Sequence, residues 1–221
     1  MADIGRVVSS NPYPLEEPGL WVERIGTWVF RAGTPALFLD RDGTINVDSG
    51  YLGDPADIVL RPEMLPVIRT SNIAGLPAIV VSNQSGIARG YFGWPDFAAV
   101  NARLLALLEA QGCRIDLVLA CAYHSSGTGE LAVGDHPMRK PNPGMLLRAR
   151  DLLGVDISRS IIVGDKADDM EAGRRAGLCE GWLVHGRLNR TSGDGTFTMR
   201  KLMTGNDHRK LCETIAELGG D

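Results

Sequence analysis

At 221 residues, 44% hydrophobic and 23% charged, the chain is long enough for one α/β domain whose core needs no disulfide or metal staple. A formal net charge of −4 without a Lys/Arg cluster leaves no electrostatic footprint for nucleic acid or an anionic membrane. No apolar run approaches the ~20 residues that cross a bilayer, and the opening MADIGRVVSSNPYPLEEPG lacks the basic-then-apolar order of an export signal.

The four cysteines, Cys113, Cys121, Cys179 and Cys212, form no CxxC pair and read as free thiols, so a cytoplasmic protein is expected. Residues 1–33 include the proline-bearing NPYPLEEPGLWVERIG and read as an extension, with Trp21, Val22 and Ile25 apolar enough to dock on the domain that follows. WVF at 28–30 reads as a small strand. From 34 to 221, strands and helices alternate. ALFLD (36–40), AIVVSN (78–83), IDLVLACAY (115–123), SIIVGD (160–165) and GWLVHG (181–186) are short apolar runs, as in strands buried on both faces.

Between them, a helix is expected from Pro62 to Gly75, kinked or delayed by Pro66. Another has Pro95 in its first turn and Phe97, Val100, Leu104 and Leu107 on one face. Asn142 and Pro143 read as N-cap and N1 of a third, stopped by Gly154. ADDMEAGRRAG and HRKLCETIAEL supply two more. The stretch 186–201 reads as a loop whose Arg187, Arg190 and Arg200 form a solvated face, and His185 as a rim histidine. Such alternation implies right-handed crossovers, a three-layer doubly wound parallel sheet, and ligands beyond the carboxyl ends of the strands.

The polar residues at those ends carry the chemistry. Asp40 and Asp42 are spaced by one, so along an extended chain they face one site with Arg41 turned aside. Asp165 adds a third carboxylate from another strand end. At ~4 Å and an effective dielectric near ~20, each carboxylate pair repels by about 4 kcal/mol, so a cation belongs there. Few hard oxygen ligands with room for water suit Mg²⁺. Ser82 and Asn83 offer a hydroxyl and N–H groups to an anion, and Lys140 adds a fixed charge. Carboxylate nucleophile, metal, hydroxyl and lysine together make a phosphoryl-transfer site.

With those residues in view, DRDGT (40–44), Ser82, Lys140 and GDKADD (164–169) resemble the four motifs of the haloacid dehalogenase (HAD)-like phosphatases. The resemblance implies Asp40 as nucleophile, Asp42 as general acid/base, and Mg²⁺ on Asp40, Asp165 and the backbone carbonyl of Asp42, with Asp169 behind them. DRDGTIN, SNQSGIARGYF, RKPNPGML and VGDKADDM are similar to the D-glycero-D-manno-heptose 1,7-bisphosphate 7-phosphatases and their histidinol-phosphatase relatives, over about Ala36 to Val184. That family implies substrate contacts from Arg139 and Lys166 and a Rossmann-like fold. The segments between motifs are too short for a cap domain, so Asn46 to Val59 is expected to be only a flap.

Relatives often carry a zinc loop, Cys-x-His followed by Cys-x-Cys before Arg-Lys. Here Cys121 stays, Tyr123 holds the histidine position, and His136 and Met138 replace the two cysteines. Structural zinc wants four ligands, so the loop is expected to be metal-free, held by packing and hydrogen bonds; zinc on Cys121, His124 and His136 is the alternative. The expected protein is a monomeric or weakly associating Mg²⁺-dependent phosphomonoesterase acting on a phosphorylated sugar. Histidinol phosphate and a nucleic-acid 3′-phosphate are rival substrates. A non-catalytic phosphosugar-binding protein is the rival class, which would show a lost Asp40 or Asp42.

Overall fold

Short apolar runs become strands covered on both faces in the computed structural model, which describes residues 12–185 and 197–220. The strands are β1 (Leu15–Glu17), β2 (Leu20–Arg24), β3 (Leu37–Leu39), β4 (Ala78–Asn83), β5 (Leu117–Cys121), β6 (Ile161–Gly164), β7 (Glu180–Val184) and β8 (Thr198–Leu202). They form one sheet in the order β1-β2-β5-β4-β3-β6-β7-β8. From β5 to β8 all pairings are parallel, while β2 joins β5 antiparallel and β1 joins β2 antiparallel.

The helices are α1 (Leu65–Ile73), α2 (Ser85–Ala88), α3 (Trp94–Ala110), α4 (Gly144–Leu153), α5 (Ala167–Ala176) and α6 (Gly205–Gly219). Alternation along each strand divides the core in two. Leu37, Leu39, Val80 and Val163 pack with residues of α1, α3 and α6. Phe38, Ile79, Val81 and Ile162 pack with α4 and α5 on the other face. The expected three-layer, doubly wound α/β fold is thus present.

Local differences from the sequence reading have local causes. Pro62–Met64 forms a 3-10 turn and α1 starts after it, with Pro66 in the first turn where its missing N–H costs nothing. α4 begins one residue later than expected: Pro143 occupies the cap, and Asn142 Nδ2 instead donates to Asp135 Oδ1 (2.7 Å) and the His136 carbonyl (3.1 Å). Gly154 closes α4 at φ 68°, a left-handed turn that glycine adopts without strain.

Trp28–Phe30 is not a strand; the hairpin lies earlier, at β1 and β2. There Trp21 stacks among Tyr13, Trp94 and Phe97, with ring centroids 5.0–5.9 Å apart. Thr198–Leu202, read as loop, is instead an edge strand beside β7. Its polar sequence TMRKL hides it, because Arg200 sits over the Trp182 ring (5.7 Å) and pairs with Glu180. Arg187 and Arg190 lie outside the described residues. Among the described residues no helix is long and apolar enough to cross a membrane.

Candidate active site

β3 lies between β4 and β6, so the chain leaves it in opposite directions on its two sides, and the crevice of such a sheet opens there. Asp40 follows β3 directly, with its N–H on the Val163 carbonyl of β6 (2.9 Å). Lys140 Nζ, 2% exposed, lies 2.7 Å from Asp40 Oδ1, 2.5 Å from Asp169 Oδ1 and 2.6 Å from the Val81 carbonyl. Burial pushes the Asp40 carboxyl up, and although Lys140 pulls it back, repulsion from Asp169 and Asp42 leaves it at about 7. Burial would lower Lys140, but Asp169 and Asp40 outweigh it and hold the ammonium form. Asn83 fixes the lysine's backbone from both sides: its Nδ2 donates to the Lys140 carbonyl (2.9 Å) and its Oδ1 accepts the Lys140 N–H (3.1 Å).

Asp42 is gripped. Oδ1 accepts from Arg41 Nε (3.0 Å) and Asn46 Nδ2 (3.0 Å), and Oδ2 from the Arg41 guanidinium (2.7 Å) and Gln84 Nε2 (2.8 Å). Burial alone would raise this carboxyl; the Arg41 charge and these donors together hold it below its ordinary value. Arg41 is therefore not turned aside. Its carbonyl accepts from the N–H groups of Thr44, Ile45 and Asn46, so the chain coils around it and strand alternation stops at Asp40. Its guanidinium lies 5.3 Å from the Phe97 ring centre. Gln84 Nε2 also donates to Ser82 Oγ (2.8 Å), tying the hydroxyl to the same network.

Carboxylate oxygens of Asp40, Asp165 and Asp169 lie within 4.8 Å of one another. Asp169 is already engaged, one oxygen on Lys140 and the other on the Lys166 N–H (3.0 Å). Asp165 differs: its Oδ1 is buried with no hydrogen-bond partner, and the Lys166 ammonium stays 3.9 Å from Oδ2. Burial raises Asp165, and nearby Asp169 adds to the rise. A buried oxygen without a donor, beside a second carboxylate, fits a hard cation. Gly43 makes the approach possible. At φ 86° it takes a turn unsuited to other residues, and a Cβ there would stand 2.3 Å from Asp165 Oδ2.

Asp40 and Asp42 face a cleft of about 350 Å³. Asp48, Gly50, Tyr51 and Leu52 of the 46–59 flap form one wall, Ser82 to Gly86 and Phe92 another, with Lys140, Lys166, Asp168 and Asp169 at the base and rim. The flap is tied down by Val47 N–H on the Val59 carbonyl (2.9 Å).

Comparison with known proteins gives this arrangement a lineage. A family model for HAD-hydrolase-like proteins (Hydrolase_like) matches residues 137–192. Over 96% of its length the chain is 59% identical to the D-glycero-beta-D-manno-heptose-1,7-bisphosphate 7-phosphatase of Mesorhizobium japonicum, covering 97% of that protein. The chain belongs to the HAD-like phosphatases, in the heptose-1,7-bisphosphate 7-phosphatase family. The enzyme of the same name from Escherichia coli K12 is 41% identical to this phosphatase over 62% of the present chain and 72% of its own. Among solved structures, a putative HAD-like phosphatase from Mesorhizobium loti superimposes with a TM-score of 0.91 at 59% identity, covering 95% of this phosphatase and 99% of that chain. The D,D-heptose 1,7-bisphosphate phosphatase of B. bronchiseptica, complexed with magnesium and phosphate, superimposes at 0.59 with 30% identity, over 68% and 80% of the two chains.

The other candidate residues of this phosphatase are distributed as follows. Lys166 reaches the cleft between Asp48 (3.6 Å) and Asp165. Arg139 donates to the Tyr123 carbonyl (3.0 Å), and burial lowers its guanidinium. Cys121, His124 and His136 each have other surroundings. Cys121 is buried at the end of β5, and burial pushes its thiol up to about 12. His124 Nδ1 accepts the Ser126 N–H (2.9 Å), with the Arg89 guanidinium 3.0 Å from Nε2. His136 stacks on Tyr123 with ring centres 3.9 Å apart. Among the described residues, the aspartate trio is the group whose ligand atoms converge.

Arg41, Asn46, Gln84 and the Val81 carbonyl were not singled out from the sequence as parts of the site. Asn46 and Gln84 stand inside the quoted motifs DRDGTIN and SNQSG, three to four residues from a motif residue or closer, which was the available signal.

Proposed function

We propose that this phosphatase removes the 7-phosphate of a D-glycero-D-manno-heptose 1,7-bisphosphate through an aspartyl-phosphate intermediate on Asp40. The observation that carries the substrate is the 59% identity, over 96% of the chain, to a phosphatase named for it. In this reading an Asp40 oxygen attacks phosphorus in line with the departing sugar oxygen, while Ser82 and Lys140 receive the phosphoryl oxygens. Lys140 has both the charge and the fixed position for it, being held by Val81 below and Asn83 behind. Asp42 gives the leaving oxygen its proton, then takes one from the water that attacks the phosphorus of the acyl phosphate. To carry that proton it exchanges part of its four-donor grip from Arg41, Asn46 and Gln84.

Asp40, Asp165 and the Asp42 carbonyl would hold Mg²⁺, whose charge offsets the repulsion between carboxylate and phosphate dianion. The partnerless Asp165 oxygen and the magnesium in the B. bronchiseptica relative support this assignment. Asp169 braces Lys140 and the Lys166 N–H. Arg139, Asn83 and Lys166 complete the substrate side. We take 34–221 as the phosphatase domain and 1–33 as its extension. We take the enzyme as cytoplasmic and monomeric or weakly associating, and the net charge of −4 supports a free small molecule rather than nucleic acid or membrane as its substrate.

The test is phosphate release with Mg²⁺ from the heptose bisphosphate, histidinol phosphate and a 3′-phosphorylated oligonucleotide, with NMR of the sugar product. The expected result is a heptose 1-phosphate product and the highest kcat/KM on the bisphosphate. Faster turnover of either rival overturns the substrate.

A further inference from the structure

The N-terminal hairpin reaches the catalytic lysine's neighbour through three side chains. β2 joins the sheet at β5, and where the chain leaves β5 the Ala122 N–H is bonded to the Gly19 carbonyl (2.8 Å). A Cβ on Gly19 would lie 2.7 Å from the Tyr123 ring, so the hairpin presses directly on that tyrosine. Arg148 of α4 grips Glu16 with Nε 2.9 Å from Oε2, pinning the hairpin at its other end.

Glu17 stands between the two anchors. Its Oε2 lies 3.2 Å from His136 Nε2 and accepts the Tyr123 hydroxyl (3.3 Å). The Met138 N–H donates to His136 Nδ1 (3.2 Å), which leaves Nε2 as the protonated nitrogen facing the carboxylate. The imidazole and phenol rings stack at 3.9 Å with 22° between their planes. Arg139 is held by this pair: its N–H donates to the His136 carbonyl (2.9 Å) and its guanidinium to the Tyr123 carbonyl (3.0 Å). Both ends of Arg139 thus hang on residues that Glu17 clamps.

We propose that Glu17 is a positioning residue which, through the stacked Tyr123–His136 pair, aims the Arg139 guanidinium at the leaving group of the substrate. The proposal rests on the reading that Arg139 contacts the sugar bisphosphate. The clamp couples the two rings because the polar tips of both meet the same Glu17 oxygen. A loosened Arg139 weakens binding of a substrate with a second anion and barely affects a phosphoester without one.

Steady-state kinetics of the full-length enzyme, on the heptose bisphosphate and on p-nitrophenyl phosphate, test it. Glu17→Ala should raise KM for the bisphosphate about 3- to 10-fold, with kcat and the p-nitrophenyl phosphate reaction moving less than about twofold. Glu17→Gln keeps an acceptor and should recover most of that loss. In an Arg139→Ala background, itself raised in KM, Glu17→Ala should add nothing further. Equal losses on both substrates, full additivity with Arg139→Ala, or an unchanged KM in Arg139→Ala would each overturn the role of Glu17. Wild-type enzyme that hydrolyses p-nitrophenyl phosphate but not the bisphosphate would overturn the substrate and this inference together, an outcome separable from the others.

Discussion

Beyond the tips of β3 and β6, three carboxylates converge within 4.8 Å; two of them, Asp40 and Asp169, share one buried ammonium, and one oxygen of the third, Asp165, is left over. Between β5 and α4, Cys121, His124 and His136 are equally capable of binding metal, but each is engaged elsewhere. The two regions show that ligand type alone does not make a site. At the strand tips the backbone forces like charges together, and the imbalance calls for a cation. In the loop the His136 imidazole stacks on the Tyr123 phenol, the buried Cys121 thiol stays protonated, and the Glu17 carboxylate from the hairpin lies against both rings.

The contrast is broken most directly at Asp40. Asp40→Asn should lower kcat on the order of 10³-fold or more while circular dichroism stays native; appreciable residual turnover would refute the covalent route. Lys140→Met leaves Asp40 and Asp169 without their shared cation and should cost about 3–5 kcal/mol in urea unfolding. Cutting the loop's stack with His136→Ala should cost only about 1 kcal/mol in the same assay. Comparable costs would erase the distinction between the regions. Gly43→Ala places a methyl against Asp165 and strains a left-handed turn, about 1–2 kcal/mol from the backbone alone. Its larger effect should be weaker Mg²⁺ activation, read as a higher Mg²⁺ concentration at half-maximal rate.

The strand-tip charge imbalance also has a pH signature. Asp40 in the folded protein sits at about 7, above its unfolded value near ~3.9. Between those values the folded state holds more protons than the unfolded state, so metal-free stability falls as pH rises from about 4 through 7. The melting temperature in EDTA should therefore drop between pH 5 and pH 8, at about 2–4 °C per kcal/mol, and Mg²⁺ should offset most of the drop at the upper end. A flat profile in EDTA would deny the imbalance. In the loop the smallest effect is expected: the Cys121 thiol, pushed up to about 12 and buried, should resist a disulfide reagent at pH 8 until the protein unfolds.

Much of the fold was legible. Val- and Ile-rich runs at crossover spacing marked β3 to β7, and of the polar residues at their ends Asp40 and Ser82 line the cleft at the switch point of the sheet, with Asp165 beside Asp40. The edges were not legible. β1, β2 and β8 are short or polar, and their pairing depends on partners far along the chain: β5 for β2 and β7 for β8. Arg41 was misplaced because period-two alternation presumes an extended chain, and the backbone coils immediately after Asp40.

The order of residue types along the chain was enough to point to a doubly wound phosphatase with carboxylates at its strand ends, since periodic burial and strand-end chemistry are local and written in short words. Which carboxylate is left unpaired, how tightly Asp42 is gripped, and that Glu17 braces the Arg139 segment were decided only by tertiary structure. Those facts are distances between residues up to about a hundred positions apart or more, such as Asp40 and Lys140 or Glu17 and His136. Coulomb energy and hydrogen bonding depend on separation in space, which the linear order leaves undetermined.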